Sequence, residues 1–419
     1  MLTTIKKFIP KKLFRLAQPF YHYSLSLGGA VLYRFPSRKI KVILITGTKG
    51  KSTTTELVNS ILETANKKTA LINTIRFKKI DKTTPNKFKM TTPGRFFIQK
   101  FLRDAVNKGC EYAIIETSSE AAKQFRHKFL NPDVFIFLNI SPEHIESHGS
   151  YEKYLKAKLS IAQELGNSNK KETILIVNKE DKESTKFLEN KASKKLSFDI
   201  EQAKPYLIDD NGYISFTFKN TNIKMKLRGL FNIYNSLAAA NCADSLGIDI
   251  NSIKNGLEKI EIVPGRVQKI DIGQNFEVIV DYAHTSDSLK KIYQTFGSKR
   301  KICVIGNTGG GRDTWKRPDM ARVADTYCDF ILLTNEDPYD ENPQKIIDDM
   351  LPGISRAEYE IDLDRRSAIH KAISKAQPGD VVLISGKGTD PYIMGPNNTK
   401  QPWSDAEVAR EELQKVVRK

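Results

Sequence analysis

The sequence predicts an α/β protein built on parallel sheets. Short apolar runs typical of buried parallel strands recur in the first half of the chain, namely KVILITG at 41–47, EYAIIETSS at 111–119, PDVFIFLNIS at 132–141 and TILIVN at 173–178. Helical stretches separate them. The alternation restarts with FEVIVDYAH, KICVIGNTGGG, DFILLTNEDP and DVVLISGKG. We therefore expect a short basic amphipathic segment at 1–39, a central domain at 40–263 and a C-terminal domain at 264–419.

Composition and charge exclude several classes of protein. Hydrophobic residues make up 39% of the 419 residues and charged residues 28%, values typical of globular proteins. The net charge of +18 comes from lysines spread along the chain, and without an RNA-binding signature we expect no nucleic-acid partner. No apolar run reaches membrane-spanning length. We expect a cytoplasmic monomer.

The cysteines also point to a reducing compartment. The chain has four, far apart and without a C-x-x-C pair: Cys110, Cys242, Cys303 and Cys328. A disulfide framework or a zinc ribbon is therefore not expected.

The N-terminal segment mixes apolar residues with Lys6, Lys7, Lys11, Lys12 and Arg15. The pattern predicts amphipathic helix, interrupted at Pro10 and Pro19. Two interpretations stay open at this point. The helix packs on the next domain, or it makes peripheral contact with an anionic membrane surface.

A phosphate-binding loop follows the strand at 41–47. The stretch GTKGKS at 47–52 offers backbone N–H groups and a helix N-terminus to an anion. Lys51 is placed to reach the β- and γ-phosphates, and the Ser52 hydroxyl to bind Mg²⁺. The standard spacing G-x-x-x-x-G-K-[ST] would require glycine at position 45, where Ile45 stands; the first glycine is Gly47. We expect a P-loop-type parallel-sheet ATPase domain with this shorter loop.

The stretch TGTKGKSTT resembles the loop of the Mur ligases and of their relatives, the folylpolyglutamate synthetases. These enzymes use ATP to convert a carboxylate into an acyl phosphate, which an amine then attacks. The resemblance covers residues 41 to about 410 through some eight ordered motifs, and it implies a Rossmann-like C-terminal domain. It assigns the loop residues to ATP binding: Gly47, Thr48, Gly50, Lys51, Ser52 and Thr53.

The resemblance also implies a magnesium site. Glu116 matches the glutamate of an E-x-S-S-H pattern, in which Glu120 replaces the histidine. LNISPEHIESHG resembles N-L-S-x-D-H-x-x-x-H-G, with Glu143 in place of aspartate, and makes His144 a ligand. Lys158 matches a lysine that CO₂ carbamylates, which turns a cation into an anionic ligand. The implied Mg²⁺ ligands are Ser52, Glu116, His144 and carbamylated Lys158.

Further motifs surround the nucleotide. GLFNIYN and VPGRVQKI resemble family motifs that imply adenine contacts from Asn232 and Asn235 and a phosphate contact from Arg266. VDYAHTSDSL resembles D-Y-A-H-x-P-x-x-L and implies that Asp281 holds the ribose and that His284 lines the nucleotide. GNTGGGRDTWKRP resembles a glycine-rich motif in which Arg312 is catalytic and Lys316 and Arg317 bind substrate carboxylate or phosphate.

The remaining motifs concern the substrates. KMTTPGR resembles the T-T-P of the branch that makes muramyl tripeptides, and the implied substrate contacts here are Thr91, Thr92, Ser118 and Arg126. TNEDPYDENP has Tyr339 where the branch that adds meso-diaminopimelate carries the arginine of D-N-P-R. SGKGTD contains Lys387 and has Asp390 where the family has glutamate. Asp337 and Asp390 form an acidic pair that suits a side-chain amine, as in lysine.

The sequence thus predicts an ATP-dependent amide-forming ligase that adds an amino acid to a muramyl-peptide precursor in peptidoglycan synthesis. Only about 40 residues precede the loop, fewer than the uridine-diphosphate-binding domain of tripeptide-forming ligases. Alternatives therefore stay open: a lipid-linked, folate-like or other peptide acceptor, or a non-catalytic nucleotide-binding homologue. Binding to nucleic acid is suggested by charge alone.

Overall fold

A computed structural model describes residues 11–143, 145–311 and 314–417, with side chains from residue 17 onward. Chain contacts divide these residues into two compact units. The first comprises the residues up to Ser141, Tyr151–Asp199 and Asn235–Gly256, and the second comprises Pro142–Ser150, Ile200–Tyr234 and the residues from Leu257 onward. This division does not coincide with the domain boundary expected between residues 263 and 264, which stays a prediction.

The described helices are α1 Lys11–Leu32, α2 Lys51–Thr64, α3 Arg95–Asn107, α4 Ser119–Lys123, α5 Ile145–His148, α6 Tyr151–Gly166, α7 Ser184–Leu188, α8 Leu230–Ser245, α9 Ile250–Glu258, α10 Ser286–Thr295, α11 Arg317–Tyr327, α12 Pro343–Asp348, α13 Arg365–Ser374 and α14 Asp405–Val417. Short 3-10 turns lie at Pro36–Lys39, Ile200–Ala203, Thr314–Lys316, Leu351–Gly353 and Pro396–Asn398. None of the helices in the described part of the chain is long and apolar enough to cross a bilayer.

The strands are β1 Lys41–Thr46, β2 Thr69–Ile72, β3 Arg76–Lys79, β4 Lys82–Pro85, β5 Tyr112–Glu116, β6 Val134–Phe137, β7 Ile174–Asn178, β8 Lys194–Phe198, β9 Tyr206–Ile208, β10 Tyr213–Phe218, β11 Thr221–Arg228, β12 Gln268–Ile270, β13 Glu277–Asp281, β14 Lys301–Ile305, β15 Phe330–Leu333, β16 Glu358–Ile361, β17 Val381–Ser385, β18 Tyr392–Met394 and β19 Lys400–Pro402.

The first unit is built on an eight-stranded sheet in the order β4-β3-β2-β5-β1-β6-β7-β8. The strands from β2 to β8 along this order pair in parallel, and β3 and β4 extend the edge as antiparallel strands. Strands β5, β6 and β7 are buried at every position, which explains their continuous apolar sequences. The parallel α/β sheet confirms the predicted fold class, and the loop that follows β1 lies at its carboxyl edge.

Helix α1 differs from the expectation at one position. It continues through Pro19 from Lys11 to Leu32, so the expected interruption there is wrong. Pro19 lies inside the helix and lacks the N–H that would bond to the carbonyl four residues earlier, so the helix continues with one backbone hydrogen bond fewer. Pro10 and the lysines before it lie outside the described residues.

The second unit contains a six-stranded sheet in the order β12-β13-β17-β14-β15-β16, parallel except for β12. Helices cover both of its faces and bury two apolar clusters, one around Ile305 and Leu383 and one around Val304 and Ile384. A separate antiparallel sheet, β11-β10-β9, belongs to the same unit. The polar and glycine residues that follow the parallel strands therefore meet at one sheet edge.

One disulfide corrects the expectation drawn from cysteine spacing. Cys303 on β14 is bonded to Cys328, which precedes β15, and both are fully buried. They are 25 positions apart in the chain, and the strand and helix between them bring these distant cysteines together without a short sequence motif. Cys110 and Cys242 are free and buried.

Candidate active site

The loop between β1 and α2 has a shape that requires glycine. Gly50 adopts a left-handed conformation with φ 84° directly before α2 begins at Lys51. A Cβ at this position would lie 2.2 Å from Oδ1 of Asn235. The chain thereby turns tightly into a helix whose first N–H groups have no intrahelical partner, which is the arrangement that binds phosphate.

Two residues to which the sequence analysis gave no role hold this loop. Asn139 follows β6, the parallel neighbour of β1, and its Oδ1 accepts hydrogen bonds from the backbone N–H of Thr48 and Lys49 at 3.1 and 2.9 Å. Its Nδ2 donates to the Lys49 carbonyl at 3.1 Å. The Tyr154 hydroxyl lies 2.9 Å from Oγ1 of Thr48. The sequence signal for Asn139 was its position, since it is a polar residue that directly follows an apolar run of the kind that forms buried strands.

Lys51 and Lys158 both contact backbone carbonyls of the loop, and their roles at the phosphates and the metal stay predictions. The Lys51 ammonium donates to the Thr48 carbonyl at 3.0 Å. The Lys158 ammonium, on α6, donates to the Gly47 carbonyl at 2.8 Å and lies 5.0 Å from the centre of the Tyr154 ring. The Lys158 side chain is only 1% exposed. A buried lysine held against a phosphate loop is not a solvated surface residue.

Glu116 lies where a metal ligand is expected. It ends β5, is 1% exposed, and its Oε2 accepts from the Ser52 hydroxyl at 2.9 Å and from the Thr74 N–H at 2.8 Å. A carboxylate and a hydroxyl beside a phosphate loop are hard oxygen donors, and they fit Mg²⁺. Within 11–143, 145–311 and 314–417 no three His, Cys, Asp or Glu side chains are grouped to hold a metal. His144, the other predicted ligand, lies outside the described residues.

The T-T-P segment lies against this carboxylate residue. Thr92 Oγ1 donates to the Glu116 carbonyl at 3.0 Å and accepts from the Ser118 N–H at 3.2 Å. Thr91 Oγ1 accepts from the Thr74 hydroxyl at 3.0 Å. The structure thus brings three of the predicted substrate residues next to the predicted metal site.

Arg126 completes this group. Its guanidinium donates to the Thr92 carbonyl and, at 2.7 Å, to Oε1 of Gln124. Burial and the charge of Arg95 lower the pKa of Arg126. An anionic group bound here would be attracted to a cation that the protein only partly compensates.

The two asparagines of α8 have different surroundings. Asn235 lies against the phosphate loop, where its Oδ1 accepts from the Thr54 hydroxyl at 3.4 Å. Asn232 belongs to the second unit and donates to the Arg228 carbonyl at 2.7 Å. Their predicted contacts with adenine stay predictions.

The predicted nucleotide residues of the second unit gather at the carboxyl end of β13. Asp281 accepts from the backbone N–H of Val267 and Ala283, both at 2.7 Å. The Arg266 guanidinium stacks 4.5 Å above the Tyr282 ring, and the charge of Asp390 together with burial raises the pKa of Tyr282.

His284 contacts a residue that departs from the family pattern. Its Nε2 lies 3.2 Å from Oε1 of Glu143, and its Nδ1 lies 2.7 Å from the Tyr282 carbonyl. Glu143 is 5% exposed. The glutamate that replaces the family's aspartate is thus a buried partner of His284.

Two expectations about charged residues need correction. Asp337 and Asp390 are not a free acidic pair, because the fully buried Lys387 ammonium lies 2.7 Å from Oδ1 of Asp337 and 3.5 Å from Oδ2 of Asp390. Arg317 is also fully buried and donates to Glu341 and Asp349. It is an internal ion-pair residue rather than a substrate ligand. Arg312 lies outside the described residues.

Glu336 is an acidic residue of this edge that the sequence analysis missed. It is 3% exposed and follows β15, and its Oε1 accepts from the Thr308 hydroxyl at 2.8 Å. Its Oε2 is buried with no hydrogen-bond partner among the described residues. A buried carboxylate oxygen is stable when it accepts a hydrogen bond, so Oε2 of Glu336 offers an acceptor to a donor group that binds there.

Tyr339, the residue in place of arginine, has φ 53° and packs on Gly310.

Comparisons with known proteins agree with this geometry. The family model of the Mur ligase middle domain matches residues 45–243, and that of the Mur ligase glutamate ligase domain matches residues 265–388. The UDP-N-acetylmuramoyl-L-alanyl-D-glutamate–2,6-diaminopimelate ligase of Syntrophomonas wolfei is 36% identical over 417 residues, covering 96% of this chain and 84% of the relative. The enzyme of the same name from Bacillus cereus is 35% identical and covers 93% and 81%.

Solved structures show the same fold. A 2,6-diaminopimelate ligase structure superposes with a TM-score of 0.61 at 27% identity, covering 90% of this chain and 78% of that one. Folylpolyglutamate synthase from Mycobacterium tuberculosis superposes with a TM-score of 0.68 over 88% of this chain and 93% of that one, and at 14% identity it shows the fold alone. The chain belongs to the Mur ligase family, and it is an ATP-dependent amide-forming ligase.

Proposed function

We propose that this ligase joins an amino acid to the carboxylate of a muramyl-peptide acceptor in peptidoglycan synthesis. The observation that carries the proposal is the phosphate loop, with Lys51 and the buried Lys158 held on its carbonyls and Glu116 bonded to Ser52. The predicted acceptor residues Thr91 and Thr92 lie beside Glu116. One unit therefore offers a phosphate site and an acceptor site side by side.

The reaction has two steps. An oxygen of the acceptor carboxylate attacks the γ-phosphorus of ATP, the bond to the β-phosphate oxygen breaks, and ADP leaves. The amine then attacks the acyl carbon, phosphate leaves, and the amine gives up a proton. Lys51 stabilises the phosphoryl group in transfer, and the loop N–H groups fix its position.

Magnesium supplies charge compensation when it is bound. Ser52 and Glu116 would hold it, together with His144 and Lys158 as its carbamate. Carbamylation joins the neutral Lys158 amine to CO₂ and releases a proton. The role of Lys158 as a ligand is part of this proposal.

The amine substrate is expected in the second unit. The unpartnered Oε2 of Glu336 is an acceptor for an ammonium group, whereas Asp337 and Asp390 already contact Lys387. The relatives of S. wolfei and B. cereus are named for 2,6-diaminopimelate. Both this amino acid and lysine carry a second amine, and both belong in a substrate panel.

Three properties complete the proposal: action in the cytoplasm, a monomeric state and peripheral membrane contact through the N-terminal region. The surface of helix α1 supports the last of these.

Replacing Lys51 tests the proposed chemistry. We expect Lys51→Ala to lower the rate of ADP release by about 10²–10³-fold, because it removes a charge that stabilises the transferring phosphoryl group. Lys67→Ala, which changes a surface ion pair with Glu111 in the same unit, is the matched control. Equal activity of the two variants, with both folded by circular dichroism, would refute the role of Lys51.

A further inference from the structure

We propose that helix α1 docks the protein on an anionic membrane surface through a stripe of large apolar side chains. The stripe consists of Phe20, Tyr23, Leu27 and Val31, whose spacing places them on one helix face. Their side chains are 78%, 44%, 38% and 56% exposed, in that order. The inference rests on the membrane contact included in the proposed function and specifies its surface and the charge of the lipid, but it does not depend on the proposed substrates.

Helix α1 presents small residues to the unit and large apolar residues to solvent, which is the reverse of the usual amphipathic arrangement. The face that packs on the unit carries small residues, with Ser26 2% and Ala30 0% exposed. Ser26 Oγ donates to the Phe125 carbonyl at 2.8 Å, and a Cβ on Gly29 would lie 3.6 Å from the Arg95 carbonyl on α3. Small residues allow a close approach, and the side chains of Phe20, Leu27 and Val31 are exposed, where burial against the protein stabilises them little.

Neighbouring side chains extend the exposed apolar surface. Phe96 on α3 is 41% exposed, and it lies 3.9 Å from the Cβ position of Gly28. Tyr21 and Leu32 on α1 are 49% and 64% exposed. Tyr23 packs against the rings of Phe125 and Phe129, with centroids 6.4 and 5.4 Å apart. Aromatic residues with a polar tip suit the headgroup region of a bilayer.

Charge selects the partner. The first 40 residues contain no aspartate or glutamate, and they contain eight lysines and arginines: Lys6, Lys7, Lys11, Lys12, Arg15, Arg34, Arg38 and Lys39. Arg34, Arg38 and Lys39 follow α1 and are exposed. An apolar face can insert at the surface of a bilayer, and the cations near it in the sequence are attracted to anionic lipids.

A basic recess supports the same partner. An open recess of about 640 Å³ is lined by Arg38, Lys39 and Lys41, together with Lys67 and Lys170, which form ion pairs with Glu111 and Asp133. It begins at the residues that follow α1 in the chain. The positive charge of this recess would attract the phosphate groups of anionic lipids.

Vesicle flotation with the full-length protein tests the proposal. We expect the wild type to float with vesicles of phosphatidylcholine and phosphatidylglycerol, and to stay unbound with phosphatidylcholine alone. The variant Phe20→Ser/Leu27→Ser/Val31→Ser should lose binding by about tenfold or more, because it removes the apolar contact. Leu207→Ser, which changes an equally apolar side chain that is 63% exposed on β9, should bind as the wild type does.

A second variant separates charge from apolar contact. Arg34→Ala/Arg38→Ala/Lys39→Ala should weaken binding to the anionic vesicles, and added salt should weaken binding of the wild type. Circular dichroism and nucleotide binding confirm that each variant is folded. The proposal is overturned if the wild type does not bind anionic vesicles, if the stripe variant binds as well as the wild type, or if the stripe variant only converts a dimer into a monomer.

Discussion

At the scale of single residues, Lys158 connects the fold to the chemistry. Its ammonium contacts the Gly47 carbonyl, and its side chain is buried. We expect ¹³C NMR of protein equilibrated with ¹³CO₂ to show one carbamate signal that Lys158→Arg abolishes, because a guanidinium does not form a stable carbamate. The same variant should lose ADP release.

Lys156→Arg is the control for that substitution, since the side chain of Lys156 is exposed on the same helix. A carbamate signal that survives in Lys158→Arg would contradict the assignment. Full activity of Lys158→Arg would contradict the role of Lys158 as a ligand.

His127 makes stability depend on pH. Burial, assisted by the charge of Lys128, lowers the pKa of His127 from its ordinary 6.5 to about 3 in the folded state. Between these two values the unfolded chain binds the extra proton, so stability is lost as the pH falls below 6.5. By pH 5 the loss from this residue is about 2 kcal/mol.

The test compares urea unfolding at pH 7 and pH 5. We expect His127→Leu to reduce the difference in unfolding free energy between the two pH values by that amount. Leu207→Ser, which changes an exposed side chain that does not titrate, should keep the wild-type difference. An unchanged pH dependence in His127→Leu would show that His127 is not responsible.

At the scale of elements, the phosphate-binding helix is fixed by a close contact with α9. A Cβ on Gly256 would lie 2.5 Å from Cα of Ile61 on α2, and Ser60 Oγ donates to the Gly256 carbonyl at 2.7 Å. We expect Gly256→Ala to destabilise the first unit by about 1–3 kcal/mol through overpacking. It should also raise the KM for ATP, since α2 carries the loop.

Gly94→Ala is the control for that change. Gly94 has φ −61° and no neighbour within 4 Å of its Cβ position, so its substitution causes no overpacking and should lower thermal stability only by the smaller cost of alanine at a helix N-cap. Equal melting temperatures and KM values for the two variants would contradict the account of the α2–α9 contact.

The parallel strands and the loop were predictable because their signals are local. A buried strand such as β5 is apolar at successive positions, and the loop motif is short. The path of α1 through Pro19 and the disulfide between Cys303 and Cys328 were not predictable, because they depend on how distant parts of the chain pack together. The contact of Lys387 with Asp337 was not predictable either, because the two residues are 50 positions apart in the chain.

At the scale of the whole molecule, the sequence motifs fall into two compact units. The first contains Lys51, Glu116 and Lys158, and the second contains Asp281, Glu336 and Lys387. Sequence order did not reveal this division, since residues 142–150 cluster with the second unit while their neighbours on both sides belong to the first. The parallel-sheet α/β architecture itself was predictable from the recurrence of apolar runs.

The measurement that tests the central claim most directly is ADP release with UDP-N-acetylmuramoyl-L-Ala-D-Glu and a panel of amino acids, with mass spectrometry of the products. We predict ADP release that requires both the acceptor and one amino acid, meso-diaminopimelate and lysine being the first to try, and a product in which the two are joined by a new amide. ATP binding without ADP release for any pair, or release that needs no amino acid and gives no amide, would contradict the proposed reaction.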